Sequence, residues 1–196
     1  MKTISIICQK GGVGKTTTVV NVAKIFSTLG YKTLIIDLDP QGNVSTYLNY
    51  DKNPEKDSNA IDLLEKKNDI VPGKISNNLD ILSSNIKISK FNEEKIVGGS
   101  KLQHAFNMNK LDCYDLIIID TPPTMSSLVQ EALAVSDFYL IPAKPEFLAV
   151  EGVAQAMNFA KQAIKAIQNT NPLFLGVLLN QIDKRRSSYL EFVSEL

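Results

Sequence analysis

The sequence has few of the residues that build metal centres or disulfide frameworks. It contains two cysteines, Cys8 and Cys113, and one histidine, His104, among 196 residues. Neither cysteine has a neighbour at metal-ligand spacing, and a lone histidine without a second ligand is typical of a surface position. Two cysteines without a disulfide framework favour a reducing compartment. These absences argue against a secreted disulfide scaffold and against a metal site built on histidine or cysteine.

The sequence also has no net charge and no long apolar run. Lysine plus arginine and aspartate plus glutamate each number 21, so no global field draws the molecule towards nucleic acid. No apolar run approaches the roughly 20 residues of a membrane-spanning helix. Met1-Lys2 leads directly into the first predicted strand, which leaves no room for a signal peptide. We therefore expect a cytoplasmic protein with one globular domain over residues 1–196.

What the sequence does contain is a glycine-rich loop between a predicted strand and a predicted helix. An apolar run at residues 4–7 precedes the loop, and apolar residues at three- and four-residue spacing follow it as far as Leu29. The loop reads Lys10-Gly11-Gly12-Val13-Gly14-Lys15-Thr16-Thr17. Glycines let successive backbone N–H groups point at an anion, and the N-terminus of the following helix favours negative charge. The segment therefore predicts a phosphate-binding site.

Three side chains of this loop have predicted roles. Lys15 can reach the β- and γ-phosphates of a nucleotide held by its own chain, and the Thr16 hydroxyl is placed for Mg²⁺. The usual P-loop pattern starts with a glycine where this sequence has Gln9, and Lys10 follows it. Two lysines thus flank one glycine loop. Because Lys10 lies at the outer edge, it is free to point elsewhere.

Two further predicted strands end in acidic residues. Residues 33–36 run into the string Asp-Leu-Asp-Pro-Gln at 37–41, and residues 115–119 run into Asp-Thr-Pro-Pro at 120–123. The carboxyl ends of strands face the ligand crevice of an open α/β sheet, so we expect Asp37, Asp39 and Asp120 near the phosphates. Asp120 lies where a P-loop protein needs a carboxylate to hold Mg²⁺. The alternative is that these acids end strands in solvated turns.

The order of the predicted elements indicates an α/β fold with a mostly parallel central sheet. The apolar run at 116–119 belongs at the centre of a covered sheet. Further strands are predicted at residues 79–82 (an edge strand), 138–142 and 174–180. Helices are predicted at 60–64, 101–108 and 127–135, and a long helix opens with the segment 145–152 and runs to about residue 168. We therefore predict a P-loop NTPase fold, a three-layer sandwich with its ligand site at the carboxyl edge of the sheet.

The glycine loop and the two acidic strings, in this order, resemble the three sequence motifs of the ParA/MinD ATPases. The first motif of that family, its deviant Walker A box, is written Lys-Gly-Gly-x-Gly-Lys-Thr-Thr. The likeness covers nearly the whole chain and is closest to the Soj-like ParA partition ATPases. It implies Mg²⁺-dependent ATP hydrolysis and an ATP-dependent homodimer in which Lys10 reaches the partner's nucleotide. It also implies plasmid or chromosome partition, with a ParB-like partner that stimulates hydrolysis.

The resemblance extends to single residues. It implies that Lys10, Lys15 and Asp39 are catalytic, with Asp39 orienting the attacking water. It implies that Thr16 and Asp120 hold Mg²⁺, while Asp37 supports the loop and the metal shell. The implied nucleotide-binding residues are Lys10, Gly11, Gly12, Val13, Gly14, Lys15, Thr16, Thr17 and Asn180.

The end of the last predicted strand offers a contact to the nucleobase. The resemblance implies that Asn180 forms a hydrogen bond with an edge of adenine. The string Asn180-Gln181-Ile182-Asp183 is also similar to the Asn-Lys-x-Asp box with which GTPases read guanine, with Gln181 in place of the lysine, so guanine stays an alternative. The cationic run at 184–186 is either a solvated turn or a contact to a nucleic-acid backbone.

The chain ends at Leu196, where proteins of this type continue with a further strand and helices. We interpret the chain as either a shortened protein or a truncated reading frame, which weakens the expectation of nonspecific DNA binding because those helices supply part of that surface. A MinD-like positioning ATPase is a second interpretation, but residues 187–196 are too short and mixed for a membrane-binding helix, so we expect no stable membrane anchor. A ligase of the cobyrinate and dethiobiotin synthetase type is a third interpretation, and an inactive nucleotide-binding remnant is a fourth.

Overall fold

In the part of the chain that the structure describes, seven strands form one sheet. They are β1 (Lys2–Ile6), β2 (Thr33–Asp37), β3 (Gly73–Ser76), β4 (Leu79–Leu82), β5 (Leu116–Asp120), β6 (Phe138–Ala143) and β7 (Leu173–Leu179). Their order is β3-β4-β2-β5-β1-β6-β7, and only the β3–β4 pair is antiparallel among these strands. The structure, a computed structural model, describes residues 1–52, 55–94, 96, 99–109, 111–146, 149–167 and 171–183.

Helices cover both faces of the sheet. In the described ranges they are α1 (Lys15–Thr28), α2 (Asn43–Leu48), α3 (Ala60–Leu64), α4 (Lys101–Met108), α5 (Ser127–Ala134) and α6 (Ala149–Ala166), with 3₁₀ helices at Ile86–Phe91 and Leu111–Cys113. Successive side chains of a strand point to opposite faces. Ile35 and Ile118 therefore pack against α1, while Ile36 and Ile119 pack against α3, α4 and α5. The result is the predicted three-layer arrangement.

The hydrophobic pattern identified the interior strands correctly. Every residue of β5 is buried, and β5 lies between β1 and β2, as its uninterrupted apolar run predicted. The prediction that residues 79–82 form an edge strand is wrong, because β4 pairs with β2 on one side and β3 on the other. β3 has no strong apolar pattern and joins the sheet through the tight reversal that connects it to β4.

The parallel strands bring several loops together. Because β1, β2, β5, β6 and β7 run in the same direction, their carboxyl ends lie at one edge of the sheet. The glycine loop, the acidic strings after β2 and β5, and residues 180–183 all follow these ends. This edge is where the sequence predicts the ligand.

Candidate functional site

The glycine loop joins the end of β1 to the start of α1. Gly12 and Gly14 have φ angles of 74° and 94°, a region that L side chains rarely adopt. A Cβ atom on Gly14 would also lie 2.0 Å from Nδ2 of Asn180. Helix α1 begins directly after Gly14, and its described first turn has no acidic residue. The N–H groups at this helix N-terminus therefore remain suited to a bound anion.

The two lysines of the loop point to different places. Lys15 is buried, and its Nζ lies 3.4 Å from the carbonyl oxygen of Lys10. Lys10 is exposed, and its Nζ donates to Oε2 of Glu146 at 3.0 Å. The same glutamate also pairs with Lys144. One ammonium group thus lies inside the loop, whereas the other lies on the surface beside the loop that follows β6.

Three acidic residues converge at the ends of β2 and β5. Asp37 and Asp120 are register neighbours on these parallel strands, and the backbone N–H of Asp39 donates to Oδ1 of Asp37 at 2.9 Å. All three are buried. The Thr16 hydroxyl donates to Oδ2 of Asp120 at 2.7 Å, which joins the first turn of α1 to this group. The structure therefore brings together Thr16, Asp39 and Asp120, the residues predicted for the metal and the water.

Burial dominates the protonation of this group. Desolvation raises the pKa of Asp37 well above its usual range, and the charge of Asp120 raises it further, against a backbone hydrogen bond from Asp39. Desolvation also raises the pKa of Asp120, while the Thr16 hydroxyl and the Lys15 ammonium lower it and the charge of Asp39 raises it. These neighbouring carboxylates therefore resist ionising together until a cation joins them.

The residues at this position fit Mg²⁺. Oδ1 of Asp120 and Oδ2 of Asp37 are buried without a hydrogen-bond partner in the described part of the chain. Carboxylate and hydroxyl oxygens are hard donors, and Mg²⁺ is commonly held by one or two carboxylates together with substrate phosphates. Within the described ranges no group of three His, Cys, Asp or Glu residues could hold a metal ion. A metal at this position would need further oxygen ligands besides these side chains, such as phosphate oxygens or water.

Asn180 lies under the glycine loop. Its Nδ2 donates to the Val13 carbonyl at 3.1 Å, and Nε2 of Gln181 donates to the Gly12 carbonyl at 2.9 Å. The sequence predicts a nucleobase contact for Asn180 and does not indicate either bond to the loop. The only signal was the similarity of residues 180–183 to the GTPase box. Contacts across more than 160 residues leave no local pattern.

Two hydroxyl contacts join neighbouring elements to this centre. The Thr121 hydroxyl donates to the Ile6 carbonyl at 2.7 Å, which ties the loop after β5 to the end of β1. The Thr17 hydroxyl lies 3.5 Å from the Tyr47 hydroxyl on α2, a helix that the sequence analysis did not predict. His104 is exposed on α4, as expected for a surface residue. The cationic run at 184–186 lies outside the described residues.

The strand, glycine loop and helix, with a buried lysine and paired strand-end acids, define a P-loop nucleotide-binding protein. Comparison with known proteins identifies the family within this class. A sequence model of the AAA domain family matches residues 1–173. The chain is also 34% identical over 201 residues to the sporulation initiation inhibitor protein Soj of Bacillus subtilis, covering 100% of this chain and 78% of that protein. The chain belongs to this ParA/Soj family of P-loop ATPases.

Two solved structures share the fold. A plasmid partition protein of Borrelia burgdorferi bound to AMPPNP has a TM-score of 0.84 and 27% identity, over 98% of this chain and 81% of that chain. Cobyrinic acid a,c-diamide synthase of Mycobacterium smegmatis, with bound ADP and magnesium, has a TM-score of 0.85 and 27% identity, over 100% of this chain and 80% of that one. The predicted fold class is therefore confirmed, and related structures hold adenine nucleotides and magnesium.

Proposed function

We propose that this protein is a Mg²⁺-dependent ATPase of the ParA type that forms a homodimer when it binds ATP. The observation that carries the proposal is the separation of the two loop lysines. Lys15 is buried beside the acids, where it can serve its own nucleotide, whereas Lys10 is exposed at the outer edge of the loop. An exposed ammonium beside a phosphate site is available to the nucleotide of a second subunit.

In this proposal the chain binds and orients the reactants. The loop N–H groups and Lys15 bind the phosphates, and Thr16 and Asp120 would hold Mg²⁺, which would supply positive charge against the phosphates. Asp39 orients the attacking water. Its Oδ1 accepts from the Gln41 N–H at 2.9 Å, so the carboxylate is fixed before substrate arrives. Phosphoryl transfer needs mainly such positioning and charge stabilisation.

The dimer links nucleotide state to assembly. The exposed pair of Lys10 and Glu146 is weak and easily broken, because water screens both charges. A contact between Lys10 and phosphate in a closed interface is worth more, because charges interact more strongly away from water. ATP would therefore favour the dimer, and hydrolysis would release it.

We further propose that the switch serves plasmid or chromosome partition, with a ParB-like protein stimulating hydrolysis. The likeness to Soj and to the Borrelia partition protein supports this role. In this role the 196 residues act as one cytoplasmic nucleotide-binding domain, associated with the nucleoid where DNA binding is retained. None of the described helices has the length and apolar character needed to cross a bilayer.

Replacing Lys10 tests the cross-subunit role directly. The wild type is expected to dimerise with Mg²⁺ and ATP in size-exclusion chromatography with light scattering, and Lys10→Ala to remain monomeric while binding ATP with nearly unchanged affinity. The matched control is Lys2→Ala, which removes an exposed lysine paired with Asp137 at the opposite end of β1. Normal ATP-dependent dimers of Lys10→Ala would refute the cross-subunit role.

A metabolite-activating ligase is the second candidate, favoured by the structural likeness to the diamide synthase. A ligase would release ADP only when its carboxylic acid substrate is present. The partition ATPase would hydrolyse ATP without such a substrate and respond to DNA or to a partner peptide. ADP release measured under both conditions separates the two functions.

A further inference from the structure

Two side-chain amides after β7 hold two consecutive carbonyl groups of the glycine loop. Gln181 donates to the Gly12 carbonyl and Asn180 to the Val13 carbonyl, at 2.9 Å and 3.1 Å. The two donors are neighbours in the chain, and so are the two acceptors. The loop is thus attached to the end of β7 at two adjacent peptide units.

These bonds also fix the N–H groups of the same peptide units. A trans peptide is planar, and its C=O and N–H bonds point in opposite directions. Holding the Gly12 carbonyl on Gln181 therefore turns the Val13 N–H to the opposite side of the loop. Holding the Val13 carbonyl on Asn180 does the same for the Gly14 N–H. Inward-pointing N–H groups are what a glycine loop offers to phosphate.

The loop needs such an anchor because glycine does not hold a peptide unit in one orientation. Gly12 and Gly14 lie on either side of Val13 and have positive φ angles. Glycine populates both signs of φ with similar ease, so a loop without side-chain anchors would sample other peptide orientations. The cost of ordering the loop on binding would then weaken its affinity for phosphate.

The anchor itself is built with close contacts and local strain. Gln181 has a φ of 54°, an uncommon value for a residue other than glycine, and its N–H donates to Oδ1 of Asn180 at 2.9 Å. A Cβ atom on Gly14 would collide with the Asn180 amide. Strain of this kind persists where surrounding contacts impose it, and it is common at functional sites.

We infer that Asn180 and Gln181 are positioning residues that preorganise the glycine loop for the phosphates of its ligand, independently of the base. The inference rests on the proposed function in taking that ligand to be a nucleoside triphosphate. In this inference Gln181 contributes to phosphate binding. The Asn180 amide holds the loop, which is a role separate from contact with adenine.

Tripolyphosphate, which has phosphates but no base or ribose, is the probe that isolates this role. Gln181→Met keeps the side-chain length but removes the donor, and losing one hydrogen bond is expected to weaken both ATP and tripolyphosphate about three- to tenfold in calorimetric titrations. Gln181→Lys restores a donor and is expected to stay within about twofold of the wild type.

Gln103→Met is the matched control. Nε2 of Gln103 donates to the Ala134 carbonyl at 2.8 Å, so this variant loses the same kind of bond away from the loop. It is expected to bind both probes as the wild type does, and thermal melting of each variant checks folding.

The possible results separate the inference from the proposed function. Weaker binding of ATP with unchanged binding of tripolyphosphate would assign Gln181 to the nucleoside and overturn the inference. Wild-type affinities for both probes in Gln181→Met would also overturn it, while leaving the proposed ATPase intact. A wild type that bound neither probe would overturn both.

Discussion

Lys10 and Lys15 lie on the same loop, yet their ammonium groups have different electrostatic surroundings. Lys15 is buried, and its charge lowers the pKa of Asp120, whereas Lys10 pairs with Glu146 in contact with water. Motif spacing predicted the meeting of Lys15, Thr16 and Asp120, because strand, loop and helix carry these side chains to one edge. It did not predict Glu146, since no local pattern links residues so far apart in sequence.

Glu146 is expected to restrain dimer formation by competing for Lys10. In Glu146→Gln the ammonium loses its charged partner in both subunits, so the dimer dissociation constant with ATP should fall by up to about fivefold for each of the two exposed ion pairs. Analytical ultracentrifugation over a range of protein concentrations measures this change.

The control for this variant is Glu94→Gln, which removes the partner of Lys101 on another surface. It should leave the dimer constant unchanged. A weaker dimer in Glu146→Gln would show instead that the glutamate itself stabilises the interface.

At the scale of elements, the sequence predicted the central strands, which are covered on both faces of the sheet. It did not predict β3 and α2, which form through contacts with distant residues. The central strands have continuous apolar runs because helices cover both faces. β3 has no such run, and its Gly73 lies so close to Tyr50 that a Cβ atom would be 1.8 Å from the tyrosine hydroxyl oxygen. Helix α2 has only six residues, of which Val44 and Ser45 are buried. Short elements of this kind form through tertiary contacts rather than local propensity.

Helix α4 depends on a carboxylate from another helix. Glu131 of α5 is buried and accepts hydrogen bonds from the Ser100 hydroxyl and from the N–H groups of Lys101 and Leu102, the last two at 3.1 Å and 3.0 Å. These N–H groups belong to the first turn of α4, where no partner exists within the helix and negative charge is favourable. The contact therefore joins α4 to α5 as well as capping it.

Removing this carboxylate should destabilise the fold without changing the nucleotide site. Glu131→Ala is expected to lower the free energy of unfolding by roughly 3 kcal/mol, since it leaves buried donors without an acceptor. Urea denaturation measures the loss. Glu151→Ala, which removes an exposed glutamate of α6, should cost less than about 0.5 kcal/mol. A similarly small loss in Glu131→Ala would mean that water satisfies the exposed N–H groups.

At the scale of the whole molecule, the buried acids make the stability of the ligand-free protein depend on pH. Desolvation raises the pKa of Asp37 and raises that of Asp120 to about 7, whereas an aspartate in the unfolded chain titrates near pH 4. Between these pH values the folded protein binds more protons than the unfolded chain, so its stability falls as pH rises. The carboxylates that could bind Mg²⁺ therefore destabilise the folded protein when no metal is bound.

Mg²⁺ and ATP should reverse this weakness. We expect the ligand-free protein to lose stability as pH rises from about 4 to about 7, a loss that becomes smaller when Mg²⁺ and ATP supply the missing positive charge. Asp37→Asn should flatten the pH dependence of the ligand-free protein, because it removes one of the two neighbouring charges. Asp112→Asn, which changes an exposed aspartate, should not. Urea denaturation at each pH measures these effects, and an equal slope in wild type and Asp37→Asn would show that other groups control the response.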